Sequence, residues 1–117
     1  MLVVNNDPAI HRMVAALLAI TGKYSPLRAN ELRDVTDILN NNLVEICLIV
    51  IADEVGYSDV TDCVAMVFGI REDWGYAGDM VSLSDNPAIG AEMVKMGANK
   101  NVHPFELIPE LKALLKI

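Results

Sequence analysis

Long apolar runs, basic charge and cysteine are all scarce in this sequence. No apolar run approaches the roughly twenty residues that span a bilayer; the segment Ile46–Ala52 has seven. No basic stretch precedes the first apolar residues, so no secretory signal is expected and a cytoplasmic location is. Nine Lys and Arg stand against sixteen Asp and Glu, a formal charge of −7. That balance repels a phosphate backbone, which argues against nucleic-acid binding. The two cysteines, Cys47 and Cys63, lie in apolar segments, where buried reduced thiols are the ordinary outcome. Glycine-rich phosphate loops, a Gly-x-Ser-x-Gly elbow, paired cysteines and a His-Glu-x-x-His helix are also missing. The usual signatures of nucleotide, hydrolase and metal chemistry go with them.

What is there is a strongly apolar chain, 53% hydrophobic and 21% charged over 117 residues. Disorder is excluded, and 1–117 reads as a single domain. A mean hydropathy of +0.34 hints at an exposed sticky face for a partner or a second copy.

Short β-rich runs alternate with stretches of helical period. Met1–Val4 reads as a strand that stops at Asn5-Asn6-Asp7-Pro8. Asp7 then suits the cap and Pro8 the first turn of a helix carrying Ile10, Met13, Val14, Leu17 and Leu18, ended by Gly22. A strand around Tyr24–Ala29, broken by Pro26, belongs at a sheet edge. Asn30 is placed to cap a helix over Glu31–Asn40, and Asn40-Asn41-Asn42 to stop it. Ile46–Ile51 is apolar without alternation, the mark of a central strand covered on both faces.

A third helix is predicted over Val60–Phe68, with Val60, Cys63, Val64, Val67 and Phe68 inward. Arg71–Gly78 is a loop whose Trp74 and Tyr76 read as a lid on the core. Met80–Leu83, a helix from Pro87 to Met96 capped by Gly97, Asn101-Val102 and a helix over Phe105–Ile117 complete the chain. Five strand–helix alternations imply a doubly wound α/β fold, a three-layer sandwich on a five-stranded parallel sheet. The favoured strand order is 2-1-3-4-5, as in flavodoxin-like folds. In such sheets chemistry gathers at the carboxyl ends of the strands. That singles out Asn5–Asp7, Val50–Gly56, Ser84-Asp85 and His103-Pro104.

Those positions carry a resemblance to the receiver domains of two-component response regulators, over essentially the whole chain. Val3-Val4-Asn5-Asn6-Asp7-Pro8 resembles the first strand and its acidic pair, and Ser82-Leu83-Ser84 the end of strand four. Gly97-Ala98 followed by Val102-His103-Pro104-Phe105 resembles the closing Lys-Pro-Phe motif. A receiver, the resemblance implies, holds Mg²⁺ with carboxylates, accepts a phosphoryl group on an Asp, steadies it with a Lys and reads it with a Ser or Thr hydroxyl.

Matched residue by residue, little of that list survives. The acidic pair falls at Asn5 and Asn6, neutral amides that also suit a plain turn. The phosphoacceptor, counted without gaps from Asn6, falls at Val50. Asp53 is the nearest carboxylate, three residues on, and an odd shift along a strand implies the opposite face. The Lys position falls at His103, which reaches less far and is mostly neutral at pH 7; the resemblance implies a cis bond between it and Pro104. Only Ser84 matches. His11 reads as a surface histidine.

The expectation is therefore a pseudo-receiver, not an enzyme and without a cofactor, acting by protein contacts. Its partner would be a signalling protein such as a histidine kinase or an output domain, or a second copy in a homodimer. The alternative is an atypical receiver phosphorylated on Asp53, with Asp7 and Asp53 holding Mg²⁺; Asp7 equally suits a helix cap. Met93, Met96 and Phe105 form the candidate interaction face, with core packing as the competing reading for the methionines. A flavodoxin-like small-molecule binder is a weaker third reading, since Asn5–Pro8 lacks the glycine and hydroxyls that cradle a flavin phosphate.

Overall fold

Residues 1–117 are all described by the computed structural model. Five strands, β1 (Leu2–Val4), β2 (Leu27–Ala29), β3 (Leu48–Ala52), β4 (Asp79–Leu83) and β5 (Lys100–Val102), alternate with five helices. The helices are α1 (Pro8–Thr21), α2 (Leu32–Asn42), α3 (Val60–Glu72), α4 (Pro87–Met96) and α5 (Leu107–Leu115). All strand pairs are parallel, in the order β2-β1-β3-β4-β5. The doubly wound sheet expected from the alternation is the one observed.

Every residue of β3 is buried, because helices cover both of its faces. Val3, Leu48, Val50 and Val81 pack toward α1 and α5, with Val14, Leu18, Leu107 and Leu111. Leu2, Val4, Ile49, Ile51 and Met80 pack toward α2, α3 and α4, with Val35, Leu39, Cys63, Val67 and Met93. The strand begins at Leu48 because Leu43–Glu45 forms one 3-10 turn after α2.

Capping follows the local chemistry. Asp7 Oδ1 accepts from the Ala9 N–H, Pro8 opens α1, and Gly22, at φ 65°, donates its N–H to the Leu18 carbonyl. Asn86 caps α4 through the N–H groups of Ala88 and Ile89. On α2 the cap lies one residue later than expected, at Glu31. The carboxylate of Asp34 reaches back to the N–H groups of Asn30 and Glu31, so an acid inside the first turn outcompetes the Asn30 side chain.

Several expectations need correction. Cys47 is exposed and only Cys63 is buried, since Cys47 precedes the strand instead of lying within it. Met13 is exposed and His11 takes its place in the buried stripe of α1; the stripe runs His11, Val14, Leu18. α3 continues one turn past Phe68 to Glu72, and Phe68 is half exposed. Met93 is wholly buried in the core and cannot serve a surface contact, while Met96 is partly exposed. The His103–Pro104 bond is trans, which suits Pro104 as the first residue of a 3-10 turn leading into α5.

The loop after α3 does close over the core, as expected. Tyr76 is buried, and the Trp74 indole donates to Asn40 Oδ1 at 3.1 Å. What holds this loop was not foreseen. The Arg71 guanidinium donates to the carbonyls of Gly97 (2.9 Å), Tyr76 (2.8 Å) and Gly78 (2.8 Å) and to Asn99 Oδ1 (3.1 Å), and lies over the Tyr76 ring. It ties α3 to the far ends of α4 and β5.

Candidate functional site

The carboxyl ends of β1, β3, β4 and β5 form one polar edge. Asn5 directly follows β1, donates its N–H to the Ala29 carbonyl and is nearly buried. Its Oδ1 accepts from the Asp7 N–H at 2.8 Å, closing a tight turn. Its carbonyl accepts from His11 Nε2 at 2.5 Å, so this nitrogen carries the proton. Asn6 and Asp7 are exposed, and Asp7 is occupied as the cap of α1. His11 was missed in the sequence; its spacing to Val14 and Leu18 was the available signal.

Asp53 is the first residue beyond β3. Its N–H donates to the Leu83 carbonyl at 3.1 Å, and the half-buried carboxylate accepts from Ser84 Oγ at 2.8 Å. Ser84 in turn is buried and tied in three ways. Its N–H donates to Val102, its Oγ accepts from the Asn86 N–H, and its carbonyl accepts from Asn101 Nδ2 at 3.1 Å. Asn101 Oδ1 accepts from Ser82 Oγ. The Asn101 amide fits against α4 only because residue 90 is glycine; a Cβ there would collide with it. So β4, β5 and α4 together hold the hydroxyl against the carboxylate.

Val50 is not at this edge. It is fully buried two residues before the end of β3, opposite Val3 and Val81. Counting without gaps from Asn6 fails because the distance between β1 and β3 depends on the lengths of α2 and the 3-10 turn after it. Asp53 needs no bulge to reach the polar edge. His103, by contrast, is exposed and turned toward its own turn. Its Nδ1 accepts from the Phe105 N–H at 3.2 Å, and its ring stacks on Phe105 with centroids 5.1 Å apart. No hydrogen bond joins it to Asp53.

The electrostatics follow from this placement. Two carboxylates are hydrogen-bonded at the edge, Asp7 as the cap of α1 and Asp53 to Ser84, and the two positions directly after β1 are neutral. Nowhere in the chain do three His, Cys, Asp or Glu side chains converge on a point that would hold a metal ion. Mg²⁺ takes hard, preferably anionic oxygens in a strict octahedron. Here the two residues directly after β1 offer only neutral amides, and the carboxylates of Asp7 and Asp53 find no third acid beside them. The donor set does not fit the ion. Beneath the edge, burial and then the charge of Asp53 and Asp62 push the Cys63 thiol up to about 12.

Comparison with known proteins decides the architecture. Over 98% of its length the chain superposes on 94% of the receiver domain of Francisella response regulator 1452, with a TM-score of 0.76 and 21% identity. The fold is that of a response-regulator receiver. The receiver fold is shared with the Vibrio cholerae chemotaxis protein CheY4, at a TM-score of 0.74 and 18% identity over 96% of this chain and 94% of that one. It is shared also with the Mn²⁺-bound form of response regulator Rcp1, at 0.79 and 14% over 96% and 90%. No family model matches the sequence, and no curated protein does. No helix is long and apolar enough to cross a membrane.

Proposed function

We propose that this domain is a cytoplasmic signalling module on the receiver fold, acting through protein contacts without a phosphorylation switch and without catalysing a reaction. The observation that carries the reading is that Asp53 stands at the strand end without the further metal-ligating side chains that would complete an ion site around it. Relatives that grip a divalent ion are expected to spend several negative charges on it, and here both residues after β1 are amides. A phosphoryl group arriving on Asp53 would add charge with no lysine at position 103 to meet it. Without counter-charge that transfer is opposed, since developing negative charge in a partly desolvated site needs positive groups beside it. The surface offered to a partner, a histidine kinase, an output domain or a second copy, includes Phe105, which is 91% exposed, whereas the open edge of Met96 faces the groove between α3 and α4 beside Val64 and Phe68. An exposed ring of that size stiffened by stacking on His103 is a typical contact anchor.

One observation favours a second reading, in which Asp53 is a phosphoacceptor. The carboxylate does stand at the strand end, with the Ser84 hydroxyl already 2.8 Å away. Intact mass after incubation with a small phosphodonor and Mg²⁺ separates the two. The first reading expects an unchanged mass. A gain of one phosphoryl group that disappears in Asp53→Ala overturns it and establishes the second.

A further inference from the structure

Cations are outnumbered in this chain by sixteen acids to nine, so an unpaired arginine is unexpected. Two ion pairs form, Arg33 with Glu31 and Lys100 with Glu110. Arg12 on α1 and Arg28 on β2 have none. Both line one groove of about 290 Å³ between α1 and the edge strand, together with His11, Ala15 and Pro26. No carboxylate lines it.

The groove is partly organised in advance. Arg28 Nε donates to Asn30 Oδ1 at 3.1 Å, which orients the guanidinium and leaves its terminal N–H groups free. Arg12 makes no hydrogen bond to the chain. His11, only 7% exposed, is locked by its Nε2 bond to the Asn5 carbonyl. Its Nδ1 has no partner within the chain, yet no buried polar side-chain atom is left unsatisfied; that nitrogen therefore faces solvent.

We propose that this groove binds a phosphate dianion, either free phosphate or the phosphomonoester of a small metabolite. Two guanidinium groups carry two positive charges, which a dianion balances and a carboxylate does not. Their planar forks match phosphate oxygens in pairs. The volume exceeds that of bare phosphate and leaves room for a short organic substituent, at the small end of ligand pockets. His11 connects the groove to Asn5, so occupancy is felt at the turn Asn5–Asp7. The site is independent of any chemistry at Asp53.

Amide and arginine side-chain NMR during titration with inorganic phosphate, and separately with glycerol 3-phosphate, tests this. The expected result is saturable shifts of the Arg12 and Arg28 Nε–H groups and of the amides of Asn5, Asn6 and Asp7. Acetate at matched ionic strength should leave them in place. The double variant Arg12→Gln/Arg28→Gln alters two exposed side chains and should keep the folded spectrum while weakening binding at least about tenfold, roughly the loss of one charge-assisted contact. Tighter binding of the ester assigns the site to a metabolite; equal or tighter binding of phosphate assigns it to the free ion. No saturation by about 10 mM, an equal response to acetate, or unchanged binding by the double variant overturns the proposal.

Discussion

The faces of this sheet and its carboxyl edge are built by different rules. On the faces, two clusters of buried side chains contain no charged group, and their packing answers only to volume and apolarity. At the edge, Asn5, Asp53, Ser84 and Asn101 are all polar and each is placed by a specific hydrogen bond. Face residues set whether the chain folds; edge residues set what a folded chain can bind. The contrast teaches that an edge can carry neutral amides in place of charges while the architecture stands, because edge side chains bury little apolar surface.

Substitutions sharpen or break that contrast, and the largest effects belong to the fold. Arg71→Ala removes four hydrogen bonds and leaves the carbonyls of Gly97, Tyr76 and Gly78 without their donor. A loss of about 3–4 kcal/mol is expected by urea unfolding. Leu111→Ala, in a fully buried position, should cost about 3 kcal/mol by the same measurement. A loss below about 1 kcal/mol in Leu111→Ala would show that faces and edge do not differ in this way.

Rebuilding the edge comes next. The triple variant Asn5→Asp/Asn6→Asp/His103→Lys introduces the charges that the receiver resemblance implies at these positions. It should gain Mg²⁺-dependent stability of about 1.4 kcal/mol at ten times the dissociation constant, while the native chain gains none. Equal Mg²⁺ responses in the two proteins would mean that charge at these positions is not what the ion requires. Asp53→Ala loses one hydrogen bond at a half-exposed site and should change stability by less than about 1 kcal/mol. A much larger loss would make Asp53 part of the fold's support.

The smallest effects concern the cysteines. Alkylation of the native protein should modify Cys47 alone, and Cys63 only after unfolding; two modified thiols in the native state would contradict the burial described above. Because the folded Cys63 holds its proton to about 12 against an ordinary 9.0, the unfolded chain loses that proton first. Its contribution to stability is then full below pH 9 and falls as pH rises toward 12. Tyr76, raised chiefly by burial beyond the usual tyrosine range, acts in the same direction. A pH titration of the unfolding midpoint reads both.

Much of the architecture was legible because periodicity is a property of neighbours. The apolar run of β3, the Pro87-to-Gly97 limits of α4 and the edge position of β2 all follow from local sequence. What escaped depended on distance or context. Val50 was expected at the strand end, where the structure puts Asp53, because a fixed count cannot know the length of a turn. His11 was placed outside because imidazole is polar, yet a backbone carbonyl satisfies it within the core. Arg71 was invisible, since its partners lie up to 28 residues away. His103 stands where the resemblance implies a lysine, but a nearby N–H and an aromatic ring draw it back toward α5.

Parallel order also has a consequence on the ribosome. β1 is flanked by β2 and β3, and neither is a hairpin partner; each must wait for an intervening helix to be translated. For that interval a wholly apolar leading strand has at least one open side. Expression at lower temperature, or with holdase chaperones in excess, should therefore raise the soluble yield.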